Sequence, residues 1–222
     1  TAYLLENKEF YSMNFKVNEN TLIPRSETEI LIEEIKKNFK SRKRFSVLDL
    51  GTGTGCILLS ILKEFKNAIG IGIDKYLETI KVAKINSKKN HLSKRAKFIN
   101  LDWNKKNFFK KILKINKKFC GNGKFHLVVS NPPYIERKEM NNLMQEVKFE
   151  PKVALDGGHD GLRSYKKIFP QLKIILSKKG SIFFEIDPNK AGKIKKILET
   201  EGFKQITFLK DLLNKKRAVF AK

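Results

Sequence analysis

The sequence is poor in residues that bind metals or form cross-links. It has two cysteines, Cys56 and Cys120, and three histidines, His91, His126 and His159, among 222 residues. The cysteines are far apart, and no HxxxH or HExxH pattern occurs. This argues against a zinc site and against a disulfide framework. Two reduced thiols fit a reducing, cytoplasmic location. No apolar run reaches the length of a membrane span. The chain opens at Thr1 without a charged-then-apolar leader, as expected of a piece of a longer protein. G-x-x-x-x-G-K-[ST] is missing, so a P-loop is excluded, and no internal repeat stands out.

Acidic residues are scarce: 23 Asp+Glu stand against 47 Lys+Arg, a net charge of +24. Such a field attracts ribosomes or RNA. Most of the basic residues are Lys rather than the Arg that reads sequence in forks, which fits a solubilised surface equally well. Hydrophobic residues make up 41%, enough for a core, and the length suits one α/β domain.

Residues 1–23 alternate around Glu9-Phe10-Tyr11 and Phe15-Lys16-Val17, which predicts a hairpin or extended arm. Pro24 to Ser26 forms a turn. Ser26 and Glu29 have capping-box spacing ahead of a helix over Glu27 to Phe39. The basic run Lys36 to Arg44 reads as a solvated helix end and linker. This arm and helix, residues 1–40, precede a domain over 41–222. There, strands at Phe45–Leu50, Ala68–Ile73, Ala96–Asn100, Phe125–Ser130 and Ser181–Ile186 alternate with helices at Cys56–Phe65, Leu77–Asn90, Tyr165–Leu176 and Lys190–Glu201. Lys105 to Lys118 is a further amphipathic segment whose Phe and Ile residues suit the buried face of a crossover helix. Residues 135–163 read as a long loop with a short helix near Met140. Phe203–Leu209 and Arg217–Ala221 close the chain as two strands without a helix between them. The pattern is α/β: seven strands, mostly parallel, covered on both faces, with an antiparallel strand in the final pair. Chemistry then collects at the carboxyl ends of the strands.

Three consecutive strand ends there suit a nucleoside-like ligand. Gly51, Thr52, Gly53, Thr54 and Gly55 follow the first strand and precede a helix that presents free N–H groups. The third glycine comes one residue earlier than in the dinucleotide fingerprint, and Cys56 holds its place, so a ligand without a pyrophosphate fits better. Asp74, ending the next strand, can accept two ribose hydroxyls. Asp102 and Trp103 offer an adenine a polar edge and an aromatic face. Asp49, ahead of the glycines, can lie near the ligand's ammonium.

Asn131-Pro132-Pro133-Tyr134 ends the fourth strand beside this pocket. An amide or aromatic amine is a poor nucleophile because its lone pair is delocalised. The Asn131 carboxamide oxygen and the Pro132 carbonyl can each accept one N–H of such an NH₂ group, orienting its nitrogen toward a sulfonium methyl. Pro133 stiffens the turn, and Tyr134 offers a stacking face.

With those two motifs in place the chain resembles the release factor glutamine methyltransferases over nearly its whole length. The stretches that carry the resemblance are Glu9-Phe10-Tyr11 with Phe15, TLIPRSETE (21–29), VLDLGTGTGCI (47–57), Leu101-Asp102-Trp103, VVSNPPYI (128–135), FEPKVALDGGHDGL (149–162) and Asp211-Leu212 with Arg217. NPPY alone also occurs in enzymes acting on nucleic-acid amines; TLIPRSETE and FEPKVALDGGHDGL, which lie outside the cofactor loop, discriminate more sharply. The resemblance implies a Rossmann-like class I S-adenosylmethionine-dependent fold. It implies that Gly51 to Gly55, Asp74, Trp103 and Asn131 bind S-adenosylmethionine, and that Asn131 to Tyr134, with Phe15, hold the glutamine of the GGQ tip of a class 1 release factor, which receives the methyl on N5. Three features, the high Lys content among them, depart from the family. Its helical N-terminal docking domain is not among these residues, and Glu185 is followed by Ile186-Asp187-Pro188-Asn189 where Gly and Gln are usual. The competing readings are an RNA or DNA amine methyltransferase using the same NPPY geometry, and a binding module that keeps the fold without the activity.

Overall fold

The computed structural model describes residues 2–39, 43–143, 147, 149–211 and 213–222. The N-terminal arm is a hairpin of β1 (Asn7–Phe10) and β2 (Met13–Lys16), followed by α1 (Glu29–Asn38). Then come β3 (Phe45–Leu50), α2 (Cys56–Glu64), β4 (Ala68–Asp74), α3 (Leu77–Lys89), β5 (Ala96–Asn100), α4 (Phe108–Cys120) and β6 (Phe125–Ser130). In the long connection a 3₁₀ segment at Arg137–Asn142 lies where a short helix near Met140 is expected, and a short α5 (Lys152–Leu155) follows farther along. The chain closes with α6 (Arg163–Ile175), β7 (Leu176–Glu185), α7 (Ala191–Thr200), β8 (Ile206–Lys210) and β9 (Lys216–Ala221).

The seven-stranded sheet runs β5-β4-β3-β6-β7-β9-β8. All neighbours pair in parallel except β9, which is antiparallel to both β7 and β8. That is the expected architecture: β8 and β9 have no crossover helix between them, so β9 returns in the opposite direction.

Alternation along the central strands builds two cores. Leu48, Val128, Ile182 and Phe184 face α4, α6 and α7. Val47, Leu127, Val129 and Phe183 face α1, α2, α3 and the hairpin. Burial on both faces makes these strands near-continuous apolar runs. The hairpin belongs to the second core: Phe10 and Phe15 are almost fully buried, their rings 6.2 Å apart edge to face. Asn86 on α3 fastens it, with Oδ1 accepting from Lys16 N at 2.6 Å and Nδ2 donating to the Lys16 and Thr54 carbonyls.

α4 follows the amphipathic reading. Phe108 and Ile112 are buried, Phe109, Leu113 and Ile115 pack on the first core, and the lysines stay outside. The helix after Pro24 starts differently from expectation. Ser26–Thr28 forms a 3₁₀ turn and the α-helix begins at Glu29. The capping box does not form, because its members are engaged elsewhere: Glu29 accepts from Tyr11 N at 2.9 Å, and Ser26 donates to Glu27. In the basic run that follows, Lys36 pairs with Glu64 and Lys37 with Glu34; residues 40–42 lie outside the described residues. Cys56 and Cys120 are both buried and unbridged.

Candidate active site

Parallel pairing sets Leu50 of β3 opposite Ser130 of β6, so the glycine loop and the NPPY segment leave adjacent strands side by side. The Ser130 hydroxyl donates to the Leu50 carbonyl at 2.6 Å and locks the two ends together. A cavity of about 510 Å³ opens above them. Gly51, Gly53, Asp74, Asp102, Trp103, Asn131 and Pro133 line it, drawn from the ends of four strands.

The glycine loop is shaped by its neighbours. Gly51 has φ +72°, and a Cβ there would come within 3.3 Å of the Trp103 ring, whereas a Cβ at Gly53 would meet open space. The backbone can therefore approach a ligand closely at Gly53, while at Gly51 it packs against Trp103. The Asp74 carboxylate accepts from Gly53 N at 3.1 Å and from Tyr76 N at 3.2 Å, and burial raises its pKa. Asp102 is braced by Asn104, whose backbone and side-chain nitrogens both donate to Oδ1. Asp49 sits under the loop, fully buried. Thr52 donates to its Oδ2 at 2.6 Å, while Oδ1 has no partner among the described residues. Burial pushes its pKa up to about 7.

Several expected contacts fall behind the lining. Thr52, Thr54, Gly55 and Pro132 do not line the cavity; the Thr52 hydroxyl serves Asp49, and Gly55 backs onto the Phe98 ring. Phe15, expected against the substrate, is 0% exposed and belongs to the hairpin core. Tyr134, expected as a stacking face, is turned inward: its hydroxyl donates to Glu185 Oε1 at 3.2 Å, and its ring packs on the first core.

Glu185 joins segments far apart in sequence. It ends β7 and is fully buried. The Thr28 hydroxyl donates to Oε2 at 2.6 Å, and Asn131 Nδ2 in turn donates to Thr28 Oγ1 at 3.4 Å. Burial pushes the Glu185 pKa up to about 7, against the pull of its two hydroxyl donors.

The segment after β6 braces NPPY from outside. Ile135 exchanges backbone hydrogen bonds with Leu155 and Gly157, and Arg163 N donates to the Gly157 carbonyl. A Cβ at Gly157 would lie 2.7 Å from the Tyr134 backbone, so Gly157 marks a close crossing of two segments. Arg25 of the PRSETE segment pairs with the buried Glu150 and ties that segment to this one. Pro151, Val153 and Ala154 then form a further wall of the cavity, with Asn20 and Leu22 from the arm. The sequence motifs at 21–29 and 149–162 thus border the same cavity as the glycine loop. Their contribution could not be read from spacing, since no periodicity links them to it.

Residues 41–202 match the family described as a methyltransferase domain. The release factor glutamine methyltransferase of Caulobacter vibrioides is 35% identical over 219 residues, covering 98% of this chain and 71% of that protein. That of Clostridium acetobutylicum is 38% identical over 220 residues, covering 99% of this chain and 73% of that protein. Among solved structures, a protein-(glutamine-N5) methyltransferase from Alicyclobacillus acidocaldarius superposes with TM-score 0.54 at 22% identity, covering 93% of this chain and 98% of that one. The catalytic domain of hMettl16 in complex with a 3′UTR hairpin gives TM-score 0.73 at 15% identity, covering 96% of this chain and 76% of that one. At those identities the structural likeness establishes the fold, and the curated relatives, matched along almost the entire chain, carry the assignment: the chain belongs to the release factor glutamine methyltransferase family.

Proposed function

We propose that this chain transfers a methyl group from S-adenosylmethionine to the side-chain amide nitrogen of a glutamine, the GGQ glutamine of a class 1 release factor. The observation that carries the reading is the convergence of the glycine loop and Asn131 on one cavity. The cavity suits the donor by its own chemistry. Gly53 leaves room for close backbone approach, Asp74 can accept ribose hydroxyls, and Trp103 and Asp102 suit an adenine. The unpartnered buried carboxylate oxygen of Asp49 favours a cation above the loop. Bound there, S-adenosylmethionine supplies an electrophilic methyl.

The residues of this chain would then act by positioning. Asn131 Oδ1 accepts an N–H group of the incoming amide and favours the positive charge that develops on its nitrogen. Pro133 and the brace at 149–162 keep the segment rigid, and residues 1–40 serve as an arm closing one side of the domain at 41–222. The location is cytoplasmic on this reading; among the described residues no helix is long and apolar enough to cross a membrane, and no metal-binding cluster is present.

From Trp103 to Ile135 the sequence holds eight lysines and no acidic residue. Lys110, Lys111, Lys114, Lys117 and Lys118 are exposed on α4, which suits association with ribosomal or other RNA.

The test is incubation with labelled S-adenosylmethionine and a release factor, its GGQ Gln→Ala variant, or bulk RNA. Label on the release factor that vanishes in the variant supports the proposal. Label on RNA favours a nucleic-acid amine substrate instead, and cofactor binding without transfer to any substrate favours a binding module.

A further inference from the structure

We propose that Glu185 is a positioning residue which, acting through Thr28, fixes the orientation of the Asn131 carboxamide, and through Tyr134 tethers the other end of the same segment. This rests on the reading of Asn131 as the residue that receives the substrate amide.

An ionised carboxylate can only accept hydrogen bonds. With Glu185 ionised, the Thr28 hydroxyl must spend its single proton on Oε2, at 2.6 Å, and the Tyr134 hydroxyl must spend its own on Oε1, at 3.2 Å. The Thr28 oxygen is then left as an acceptor facing Asn131. Of the two ends of that carboxamide only Nδ2 can donate, and Nδ2 is the atom found there, at 3.4 Å. The direction of the chain therefore passes from Glu185 to Asn131, and no described donor occupies Asn131 Oδ1. That oxygen stays free for an incoming N–H. The carboxylate is itself held: Glu185 closes β7, and its carbonyl accepts from the buried Tyr165 hydroxyl at 2.7 Å.

A Gln at 185 breaks this logic. It has one acceptor oxygen and one donor nitrogen, so one of the two hydroxyls must reverse. If Thr28 reverses, its proton turns toward Asn131, which must then offer Oδ1 in place of Nδ2. The amide flips, and the substrate meets a donor where it needs an acceptor. Protonation of Glu185 has the same effect, because the carboxylic acid gains an O–H of its own. Burial places that event near neutrality, at about 7. The groups that face Glu185 or its partners are Glu27, Arg217, Asp187, Tyr134, Tyr165 and Cys56. Arg217 favours the carboxylate and Glu27 opposes it.

Two measurements test the proposal. In the transfer assay, Glu185→Gln and Thr28→Val should each lower kcat by roughly 10- to 100-fold with the KM for S-adenosylmethionine within about twofold of wild type. Thr28→Ser, which keeps the hydroxyl, should recover most of the rate. The wild-type kcat should fall as pH drops through about 7, and that limb should disappear in Glu185→Gln. Wild-type kcat in Glu185→Gln or Thr28→Val, or an unchanged acid limb, overturns the proposal. The second measurement needs no turnover: the Asn131 side-chain amide resonances, assigned with Asn131→Asp, should shift through the same pH range in wild type and stay fixed in Glu185→Gln. An amide that is insensitive to pH in wild type, or that titrates equally in both proteins, overturns it. If wild type methylates no release factor while the amide still titrates with Glu185, the functional reading fails and the coupling stands.

Discussion

Gly161 lies directly against Tyr134: a Cβ on Gly161 would sit 2.4 Å from the Tyr134 carbonyl oxygen, and its φ is +69°. The loop that carries Gly161 and the NPPY segment are therefore in backbone contact, and the spacing of one sets the place of the other. Gly161→Ala should push Tyr134 outward and add backbone strain, at a cost of about 1–3 kcal/mol in stability. Chemical denaturation checks the stability loss, and a parallel transfer assay should record a fall in kcat larger than any change in cofactor affinity. Unchanged stability and rate would mean that the two segments separate freely.

Asn131→Ala removes the carboxamide proposed to accept the substrate N–H. Transfer should drop by about 10²- to 10³-fold, with S-adenosylmethionine affinity changed by much less. Equal losses in both would assign Asn131 to the cofactor rather than to the target amide.

Asp74→Ala should act on the other side of the cavity. The carboxylate holds Gly53 N at 3.1 Å and lines the proposed ribose site, so its removal loosens the glycine loop and deletes two acceptors together. Cofactor affinity, followed by calorimetry, should weaken by about 10- to 100-fold. An unchanged isotherm would remove Asp74 from the ribose role.

The ligand-free protein should lose stability as pH rises toward neutrality. Asp49 and Glu185 are buried, and each has its pKa pushed up to about 7, from ordinary values of 3.8 and 4.5. The folded state thus keeps protons that the unfolded chain has already released. That contribution is fully present at low pH, declines between about 4 and 7, and is lost above. Urea midpoints should fall across this window, less steeply in Glu185→Gln. A midpoint that rises with pH over the same interval would contradict the burial of the two groups.

Changing Lys110, Lys111, Lys114, Lys117 and Lys118 together to Gln should weaken binding to a short RNA by about tenfold or more and flatten its dependence on salt. Fluorescence anisotropy at several salt concentrations reads both quantities. An unaltered salt slope would make α4 a solvated face with no polyanion role. Folding should be unaffected, since all five side chains are exposed.

Much of the fold was legible in one dimension. Largely apolar runs at 45–50 and 125–130 sit where β3 and β6 form, because strands covered on both faces are apolar at most positions. The missing helix between the last two strands foretold the antiparallel β9. That Asn131, Gly51, Gly53, Asp74, Asp102 and Trp103 line one cavity was foreseeable because each ends or follows a parallel strand, and parallel strands bring their carboxyl ends together.

Tertiary structure decided the rest. Ser26 and Glu29 have capping-box spacing, but Tyr11 N, which is distant in sequence, takes the Glu29 carboxylate. Phe15 and Tyr134 carry side chains suited to a substrate; the first is drawn into the hairpin core, and the hydroxyl of the second is claimed by Glu185. A local pattern fixes the backbone wherever one periodicity dominates, because each residue then has only one face to bury. It cannot fix a polar side chain whose partner lies 51 or 157 residues away, as Tyr134 and Thr28 do from Glu185. For such a group the hydrogen bond is chosen by whichever donor or acceptor the packed core delivers, and only the folded chain makes that choice.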